Sequence, residues 1–583
     1  MRTKFLLIAS AAAALALPAI AQQSAPQPAP VVPVRPAPAT PVQPSTSVQG
    51  NEAAAAGADE TAVEEVSQLN LAPPPEPVEY PGWARRDPWT VGKLDPAAEG
   101  LGTAPWGSAS GVFLSVLMRR MDTPLASRWA HIALRDGLLA KTRAPRNVNP
   151  VDWVAERAWL LLRMGEADAA RMLVAEVDTD NFTPKMVQVA VQSALANADP
   201  SALCPLEPGL RKYEARIRSL VAAMCSALAG EPDTASAQID DARRHGRIGG
   251  IDFELAEKVV GAAGGGRSAT IEWDPVDNLT TWRIGLSLGT GMPPPDRLIT
   301  SAPPRLRAFV ARAPLLTPQQ RRDSALIAAG LGVFSSQSLI DLYSSIYDST
   351  DTGDLAGTDA WQVRQAFVGK DEATRLAAIR KLLAIGRQGL EKEAARALVA
   401  RAASLIAPDS KLAKDAPELI SAMLAAGYDD AAARWIPEIG GMDDEDADRC
   451  WAMLALASPG IADVGTGRVA AFIRRDKSQN HIRSAFLVAG LAGLGRLSTD
   501  DANSLNRRFG LGLGRTSSWT RMIDSAAARG QAGTVLVLTG TGFQTPQFGQ
   551  VPASHLYHAI AALNRTGQGF SARMIAAEAL SRT

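Results

Sequence analysis

The apolar and polar residues between Asn149 and Val177 follow a pattern that predicts two helices joined by a turn at Gly165. Asn149 can cap the first helix with its side-chain oxygen, and Pro150 suits the first helical position because no N–H group is needed there. In both predicted helices the apolar residues recur every three or four positions, which places them on one face. These residues are Val154, Ala158, Leu161, Leu162, Ala170, Leu173, Val174 and Val177.

The charged residues of this stretch are expected largely on the other faces of the two helices. They are Asp152, Glu156, Arg157, Arg163, Asp168 and Arg171. Each helix then has one side to bury, and a short turn makes two such helices pack as an antiparallel pair. A single hairpin does not bury its apolar faces alone, so we expect stacked neighbours.

Parts of this hairpin recur along the chain, because a glycine is followed five residues later by an alanine in four places. The four pairs are Gly165 and Ala170, Gly230 and Ala235, Gly427 and Ala432, and Gly567 and Ala572. A large apolar residue follows after about two helical turns. These apolar residues are Leu173, Ile239, Trp435 and Ile575.

The glycine and alanine pattern resembles the centre of the tetratricopeptide (TPR) hairpin, in which a glycine precedes the second helix and small residues line the pair. The resemblance covers four segments of about 25 residues, with irregular spacing in place of the family's period of about 34. It implies an α-solenoid of antiparallel hairpins and a bias toward protein binding, without assigning ligand residues. An irregular helical domain with ordinary helix packing is the alternative.

Composition supports an all-α class for this chain of 583 residues. Alanine, the best helix former, is abundant, and aromatic residues make up only 5%. Long alternating runs of Val, Ile and Thr are absent, so we do not expect a large sheet. The predicted fold is therefore an all-α, TPR-like solenoid that follows a signal peptide and a disordered Pro-rich tether.

Residues 1–21 have the parts of a cleaved secretory signal, with cleavage expected after Ala21. Arg2 and Lys4 give the positive start, an apolar run follows, and Ala19 and Ala21 are the small residues before the cut. The apolar run is short for an uncleaved anchor, and no later stretch is apolar enough to span a bilayer. We expect export to a Gram-negative periplasm, with release to the outside as the alternative.

The chain after the signal divides into four predicted parts. Residues 22–80 form a Pro/Ala-rich tether, since 13 of the 39 prolines lie in Gln22–Pro81. The tether is either a spacer or a plain disordered terminus. Residues 81–110 form an extended docking segment. Helical-repeat lobes follow over 111–350 and 351–583, separated at a break in Asp348–Gly357.

The docking segment and two connectors supply the candidate contact surfaces. Tyr80, Trp83, Trp89 and Trp106 lie close together in sequence, so a carbohydrate-stacking patch is the alternative to simple docking. The connectors are two Gly/Pro-rich stretches, Gly285–Pro304 and Gly533–Pro552. Within the second, Val535–Leu538 could be a short buried helix or a strand.

Motifs that would carry chemistry are weak in this chain. His555 and His558 can share a helix face, but no acidic or cysteine partner completes a metal site. Gly261–Ser268 approximates a phosphate loop, although its preceding residues predict a helix where the motif requires a strand. The acidic run Asp443–Asp446 is explained by a helix start. We predict no catalytic, cofactor-binding or metal-ligating residue.

Three cysteines are an odd number for an oxidising compartment. We favour a disulfide between Cys204 and Cys225, with two buried free thiols as the alternative. An unbroken helix from Gly209 to Cys225 would span about 24 Å, which the residues before it could not bridge. The bridge therefore requires a later helix start, near Lys212, and an extended segment before it. Cys450 is expected in the core.

The net charge of the chain argues against some classes of function. The chain has 60 basic and 60 acidic residues, and loss of Arg2 and Lys4 with the signal leaves it slightly acidic. That balance argues against general binding of nucleic acid or anionic membranes. The predicted function is a non-catalytic periplasmic scaffold that binds envelope proteins on a concave surface. The alternatives are a cell-wall glycan (peptidoglycan) binder, an envelope enzyme of unrecognised type, and a purely structural protein.

Overall fold

The computed structural model describes residues 81–583, except residues 247, 266–269, 387 and 461–463. The predicted signal at residues 1–21 and the predicted tether at 22–80 lie outside the described residues. None of the described helices combines the length and the hydropathy needed to cross a bilayer.

The part of the chain that the structure describes contains 27 α-helices. The first fourteen are α1 (Gly111–Arg120), α2 (Arg128–Leu139), α3 (Pro150–Met164), α4 (Ala167–Val174), α5 (Pro184–Ala196), α6 (Glu207–Tyr213), α7 (Arg218–Leu228), α8 (Pro232–His245), α9 (Ile251–Val260), α10 (Thr281–Gly289), α11 (Asp296–Ser301), α12 (Pro304–Arg312), α13 (Pro318–Leu331) and α14 (Ser336–Asp348).

The remaining helices belong to the C-terminal part of the chain. They are α15 (Asp359–Val368), α16 (Glu372–Leu383), α17 (Gly389–Ala403), α18 (Ala416–Ala425), α19 (Asp429–Ala433), α20 (Asp444–Ala457), α21 (Thr466–Arg475), α22 (Ile482–Gly493), α23 (Thr499–Phe509), α24 (Ser518–Ala528), α25 (Ala532–Gly542), α26 (Ala553–Arg565) and α27 (Gly569–Ser581). The all-α prediction is confirmed.

Short 3-10 helices and one π-helical turn connect several of these helices. The 3-10 helices are Gly82–Ala84, Thr179–Asn181, Pro200–Leu206, Leu355–Gly357, Ser410–Leu412, Ile436–Gly441, Gln479–His481 and Phe548–Gln550. The π-helical turn is Gly261–Gly265.

Two short strands, β1 (Thr90–Val91) and β2 (Thr142–Arg143), attach residues 81–110 to the helical body. They pair antiparallel, with Thr90 opposite Arg143 and Val91 opposite Thr142. Trp106 lies further along the same segment and is buried against Trp153, with ring centroids 5.0 Å apart.

The hairpin of α3 and α4 has the predicted caps. The side-chain oxygen of Asn149 accepts hydrogen bonds from the backbone N–H groups of Val151 and Asp152, at 2.9 and 3.2 Å. Gly165 ends α3 with φ of +91°, a left-handed conformation that glycine adopts without steric cost. The apolar residues predicted to share one face are buried, except Val174, which is half-buried.

The other three glycines of the repeated pattern have the same role. Gly230, Gly427 and Gly567 all have positive φ. They separate the packed pairs α7 and α8, α18 and α19, and α26 and α27. The alanines five residues later are fully buried where the two helices of each pair approach, so the four predicted hairpins are confirmed.

Glu156 and Arg157 are exceptions to the prediction that the charged residues of this stretch lie largely on the outer faces. Both are buried, because α3 packs against α1, α2 and α5 as well as α4. The guanidinium of Arg157 donates to the carbonyls of Leu138, Ala140 and Val91 at 2.7, 2.9 and 3.0 Å. Burial lowers the pKa of Arg157 to about 9.

Arg157 is one of several arginines that satisfy the carbonyl ends of neighbouring helices. Arg128 donates to carbonyls at the ends of α13 and α18, Arg163 to those at the end of α1, and Arg496 to those at the end of α20. The last carbonyls of a helix have no partner within it, so each arginine acts as a cap supplied from another helix.

Helix α2 brings the two ends of the described chain together. It packs against α3, α4 and α13, and also against α25 and α27 near the C-terminus. In a linear solenoid each repeat contacts only its neighbours in sequence. The contacts of α2 with α25 and α27 are therefore not part of a linear stack. Helices also pack across the predicted lobe boundary, since α13 and α14 contact α17.

The two predicted connectors are wrong in part, because helices occupy much of both. The end of α10 and all of α11 lie in Gly285–Pro304, and α25 covers Gly533–Pro552 as far as Gly542. Of the two alternatives for Val535–Leu538, the buried helix is the one observed.

The glycines of α25 permit close packing and do not mark a loop. A Cβ on Gly540 would lie 3.0 Å from Leu134 and from Met121, and one on Gly533 would lie 2.8 Å from the ring of Trp106. Close packing against residues far away in sequence therefore explains why α25 is rich in glycine, a composition that is typical of connectors.

Threonine followed by proline predicts a helix start at Thr123, Thr183 and Thr317, with threonine as the cap and proline at the first helical position. Thr183 and Thr317 cap α5 and α13, with proline at the next position, as predicted. Thr123 is followed by a cis proline and does not start a helix. The cap of α2 is Ser127, whose hydroxyl accepts from the N–H of Ala130, so this third prediction is wrong.

Candidate functional site

A cavity of about 1580 Å³ opens between helices of the C-terminal part of the chain. We call it the polar groove. Its walls are formed by α17, α18, α20, the end of α21, the start of α22 and the end of α27. Its lining residues lie within the segments 388–393, 444–453, 472–483, 546–550 and 580–583, together with Ser421.

Charged side chains dominate the polar groove. Seven basic and five acidic residues line it: Lys392, Arg449, Arg474, Arg475, Lys477, Arg483 and Arg582, and Glu393, Asp444, Glu445, Asp448 and Asp476. The described lining contains no Trp or Tyr, and its aromatic residues, Phe472 and Phe548, are buried.

A network of ions, all buried except the partly buried Glu418 and Arg582, lies beneath the polar groove. Arg396 is fully buried and contacts Glu393 at 3.0 Å and Glu418 at 2.9 Å. Arg582 links the network to α27, lying 3.8 Å from Glu393 and 2.8 Å from Glu578. Burial would raise the pKa of Glu418, but the neighbouring cations outweigh it and hold that pKa below its usual value.

One wall of the polar groove is fixed by Asp448 of α20. Its two carboxylate oxygens accept hydrogen bonds from Arg475, both at 2.7 Å, and Arg468 forms a further ion pair. Burial would raise the pKa of Asp448, but the bonds from these arginines lower it. The bidentate pair ties the end of α21 to α20 and neutralises Arg475.

The loop between α21 and α22 is held by Asp476. Its carboxylate accepts hydrogen bonds from the N–H of Ser478 at 2.8 Å and from the N–H and hydroxyl of Ser484 at 2.9 and 2.6 Å. Asn480 and His481 have φ of +54° and +51°. Two consecutive non-glycine residues in this region are uncommon, and such strain is concentrated at ligand sites.

Two of the three basic residues around this loop keep binding capacity. Arg474 and Lys477 are exposed and have no ion pair among the described residues. The third, Arg483, donates from a terminal nitrogen to the backbone oxygen of Thr583, and its Nε atom is buried without a partner in the described chain. The arrangement can therefore bind anionic groups that a partner brings.

The structure places Cys204 and Cys225 in a disulfide, with Cα atoms 5.5 Å apart. The expected path between them is wrong. Residues 200–206 form a 3-10 helix, and α6 begins at Glu207, earlier than predicted. The chain turns in residues 214–217, between α6 and α7, and this break permits the bridge. Cys450 is buried, which raises the pKa of its thiol to about 12.

The two nearby histidines have separate partners. Both lie on α26, but the ring of His555 stacks on Trp519 at 4.3 Å, while Nδ1 of His558 lies 2.8 Å from Asp524. Within the described residues, no three His, Cys, Asp or Glu side chains come together as a metal site would require.

The phosphate-loop-like pattern is described only in part. Gly261–Gly265 forms a π-helical turn directly after α9, so a helix precedes the pattern, as predicted, where a phosphate loop requires a strand. Residues 266–269 lie outside the described chain. Of the other patterns, Asp443 caps α20 by accepting from the N–H of Asp446, which confirms the helix start.

An expectation that the chain lacks the G-x-S-x-G pattern of serine hydrolases is wrong, because Gly285-Leu-Ser287-Leu-Gly289 matches it. That pattern requires a strand, a sharp turn and an exposed serine. Here Ser287 is buried within α10 and donates to the carbonyl of Ile284. The glycines permit close contact with Leu195 and Pro200, so packing explains the match.

The tryptophans of the docking segment do not share one surface. Trp83 is 88% exposed and Trp89 is 43% exposed, with Trp89 against the guanidinium of Arg143, whereas Trp106 is buried. Only the end of the predicted second connector, residues 546–550, lines the polar groove.

No family model, no curated protein and no solved structure matches this chain. The resemblance to TPR hairpins therefore rests on the glycine and alanine pattern and on the observed helix pairs. The polar groove was missed in the sequence because its lining comes from several separate segments. The only local signal is the basic cluster at residues 474–477.

Proposed function

We propose that this protein is a non-catalytic scaffold of the cell envelope and that a partner protein docks in the polar groove. In this proposal residues 1–21 direct export to the periplasm, with cleavage after Ala21, and residues 22–80 tether the helical body. The binding surface is the polar groove and not the concave face of an open TPR-like solenoid. The observation that carries the proposal is a large charged cavity built on helix hairpins.

The size of the polar groove favours a macromolecular partner. Sites for small molecules have volumes of roughly 300–1,000 Å³. At about 1580 Å³ the polar groove exceeds that range. An extended segment of another protein would fill it better than a single metabolite.

The ion network beneath the polar groove favours a preformed site. Glu393, Arg396 and Glu418 link α17 to α18, and Arg582 links α17 to α27. A groove whose walls are fixed before binding loses less conformational entropy when a partner docks. The carboxylates of Glu393 and Asp448 are held by arginines, which suits a structural role better than proton transfer.

The lining also favours protein over glycan. Carbohydrate sites present exposed aromatic rings on which sugars stack, whereas the described lining has two phenylalanines, and both are buried. The glycan alternative therefore has less support from the geometry.

The proposal can be tested by blocking the polar groove. Gly549 is exposed in its lining, and a Cβ there would meet only Thr583, at 3.7 Å, so Gly549→Trp should fill the mouth without disturbing the core. Gly353→Trp is the matched control, because Gly353 is exposed outside the polar groove and a Cβ there meets nothing within 4 Å.

Intact cells producing each variant would be cross-linked, and proteins joined to the chain identified by mass spectrometry. We expect the same envelope proteins with the unchanged chain and with Gly353→Trp, and their loss with Gly549→Trp. Unchanged partners with Gly549→Trp, or recovery of glycan fragments alone, would contradict the proposal. Circular dichroism would establish that both variants are folded.

A further inference from the structure

We infer that the polar groove recognises an acidic, extended peptide segment, whose carboxylates bind to Arg474 and Lys477. This inference rests on the proposed function and adds the chemistry of the partner. It follows from which charges in the lining already have partners within the protein and which do not.

Much of the basic lining is already neutralised. Arg475 pairs with Asp448, Arg582 with Glu578, and Arg449 lies 3.5 Å from Glu418. Such cations have little remaining attraction for a ligand.

Arg474 and Lys477 differ from those cations, because both are exposed and neither forms an ion pair within the described chain. Arg483 is already engaged, because its guanidinium donates a hydrogen bond to the backbone oxygen of Thr583. A guanidinium and an ammonium three residues apart are groups that can bind carboxylates.

The acidic residues of the lining differ in whether they already have partners within the protein. Asp476 is occupied by its bonds to Ser478 and Ser484, and Glu393 by Arg396. Asp444 and Glu445 are exposed in the first turn of α20. Asp444 lies 4.0 Å from Arg475, so Glu445 is the carboxylate of this pair that would most repel an acidic ligand.

The loop between α21 and α22 also suits a peptide backbone. Gln479 and Asn480 line the polar groove with amide groups that can both donate and accept hydrogen bonds. An extended peptide has unpaired N–H and C=O groups that need such partners. The left-handed residues Asn480 and His481 give the loop the strained geometry found at ligand sites.

The mixed charge of the lining favours a peptide over a nucleic acid. A nucleic acid carries a dense, uniform row of phosphates and selects for surfaces with a large basic surplus. Asp444 and Glu445 would oppose that row. Spaced carboxylates separated by neutral residues match the observed lining better.

The test uses the predicted mature protein, residues 22–583, and fluorescein-labelled dodecapeptides. The probe is (Glu-Gly-Ser)₄, and (Gln-Gly-Ser)₄ is the neutral comparison. Binding would be measured by fluorescence anisotropy at low and at moderate salt. We expect the acidic peptide to bind at least about 10-fold more tightly than the neutral peptide, with the difference shrinking as salt increases.

Charge reversal locates the site. The double variant Arg474→Glu and Lys477→Glu should weaken binding of the acidic peptide at least about 10-fold, and Glu445→Lys should strengthen it. The matched control is Arg507→Glu with Lys370→Glu. Like the first pair, it joins an exposed arginine in the last turn of a helix to a loop lysine, but it lies outside the polar groove.

Equal affinity for the acidic and neutral peptides would overturn the inference, as would equal effects of the two double variants. That result is distinguishable from failure of the proposed function. If Gly549→Trp still abolishes cross-links to envelope proteins, docking in the polar groove stands and only the acidic character of the partner is wrong.

Discussion

The carboxylate of Glu578 accepts a hydrogen bond from the backbone N–H of Arg128, 450 residues earlier in the chain, at 2.8 Å. It also accepts bonds from the hydroxyl of Ser127 at 2.5 Å and from the N–H of Trp129 at 3.2 Å. A residue of α27 therefore caps the N-terminus of α2, where negative charge is favoured by the helix dipole. This contact joins the two ends of the described helices.

Removing the cap should destabilise the whole protein. Glu578→Ala leaves the first N–H groups of α2 without this acceptor and Arg582 without its closest acid. Since Glu578 is buried, we expect the free energy of unfolding to fall by about 3 kcal/mol. Urea unfolding followed by circular dichroism measures this. The control is Glu391→Ala, an exposed acid of α17, which should change it by less than about 0.5 kcal/mol. Equal losses would contradict the account.

The buried guanidinium of Arg157 should matter more than an exposed one. Arg157→Met removes the donors to three carbonyls and should cost about 3 kcal/mol of unfolding free energy. Arg171→Met removes only a surface pair with Asp199 and should cost less than about 1 kcal/mol. Thermal and urea unfolding of both variants compare the two. A larger loss for Arg171→Met would show that the caps made by buried arginines are unimportant.

The pair of Asp448 and Arg475 should make stability depend on pH. The pKa of Asp448 is lower in the folded protein than the value of about 3.9 expected when unfolded. Its contribution is therefore fully present above about pH 4 and is lost as the pH falls through the folded pKa. Asp448→Asn should be less stable than the unchanged protein at pH 7, and the difference should shrink at pH 3.

The matched comparison for this pH dependence is Asp444, which is 82% exposed on the same helix. Asp444→Asn should show little difference in urea unfolding at either pH. A pH-independent difference for Asp448→Asn would mean that its ion pair does not stabilise the wall of the polar groove.

Reduction of the disulfide should destabilise the region of α6 and α7. Cys204 and Cys225 are 21 residues apart, and a bridge of that span contributes about 3 kcal/mol by restricting the unfolded chain. Cys204→Ser with Cys225→Ser should lose that amount, and dithiothreitol should then have no further effect. Alkylation after unfolding should modify one thiol, Cys450, without reductant and three with it. Three modified thiols without reductant would contradict the bridge.

Local signals in the sequence predict the helix hairpins well, and the same signals fail where distant packing decides. Thr317 and Pro318 are followed by Gln320, whose side chain completes a capping box, so the helix begins there. Thr123 and Pro124 have no such partner, and Ser127 caps α2 in their place. Thr183 also begins a helix without such a partner, so the start of α2 is set by Ser127 and by Glu578 from the distant α27.

Glycine is ambiguous in sequence for a related reason. Gly165 has a left-handed φ that ends a helix, and its position in the hairpin pattern reveals it. Gly540 lies inside a helix because α25 packs closely against Leu134 of α2. That contact spans about 400 residues, and no local pattern encodes it. The polar groove is unpredictable for the same reason, since its walls meet only in the folded chain.

The most direct test of docking in the polar groove is photo-cross-linking from single positions in intact cells. A benzoylphenylalanine would replace Gln479, which is exposed in the lining, or Gln337, which is exposed on α14 outside it. The account predicts that position 479 cross-links to a defined envelope protein and position 337 does not. No protein cross-link from position 479, or the same products from both positions, would contradict it.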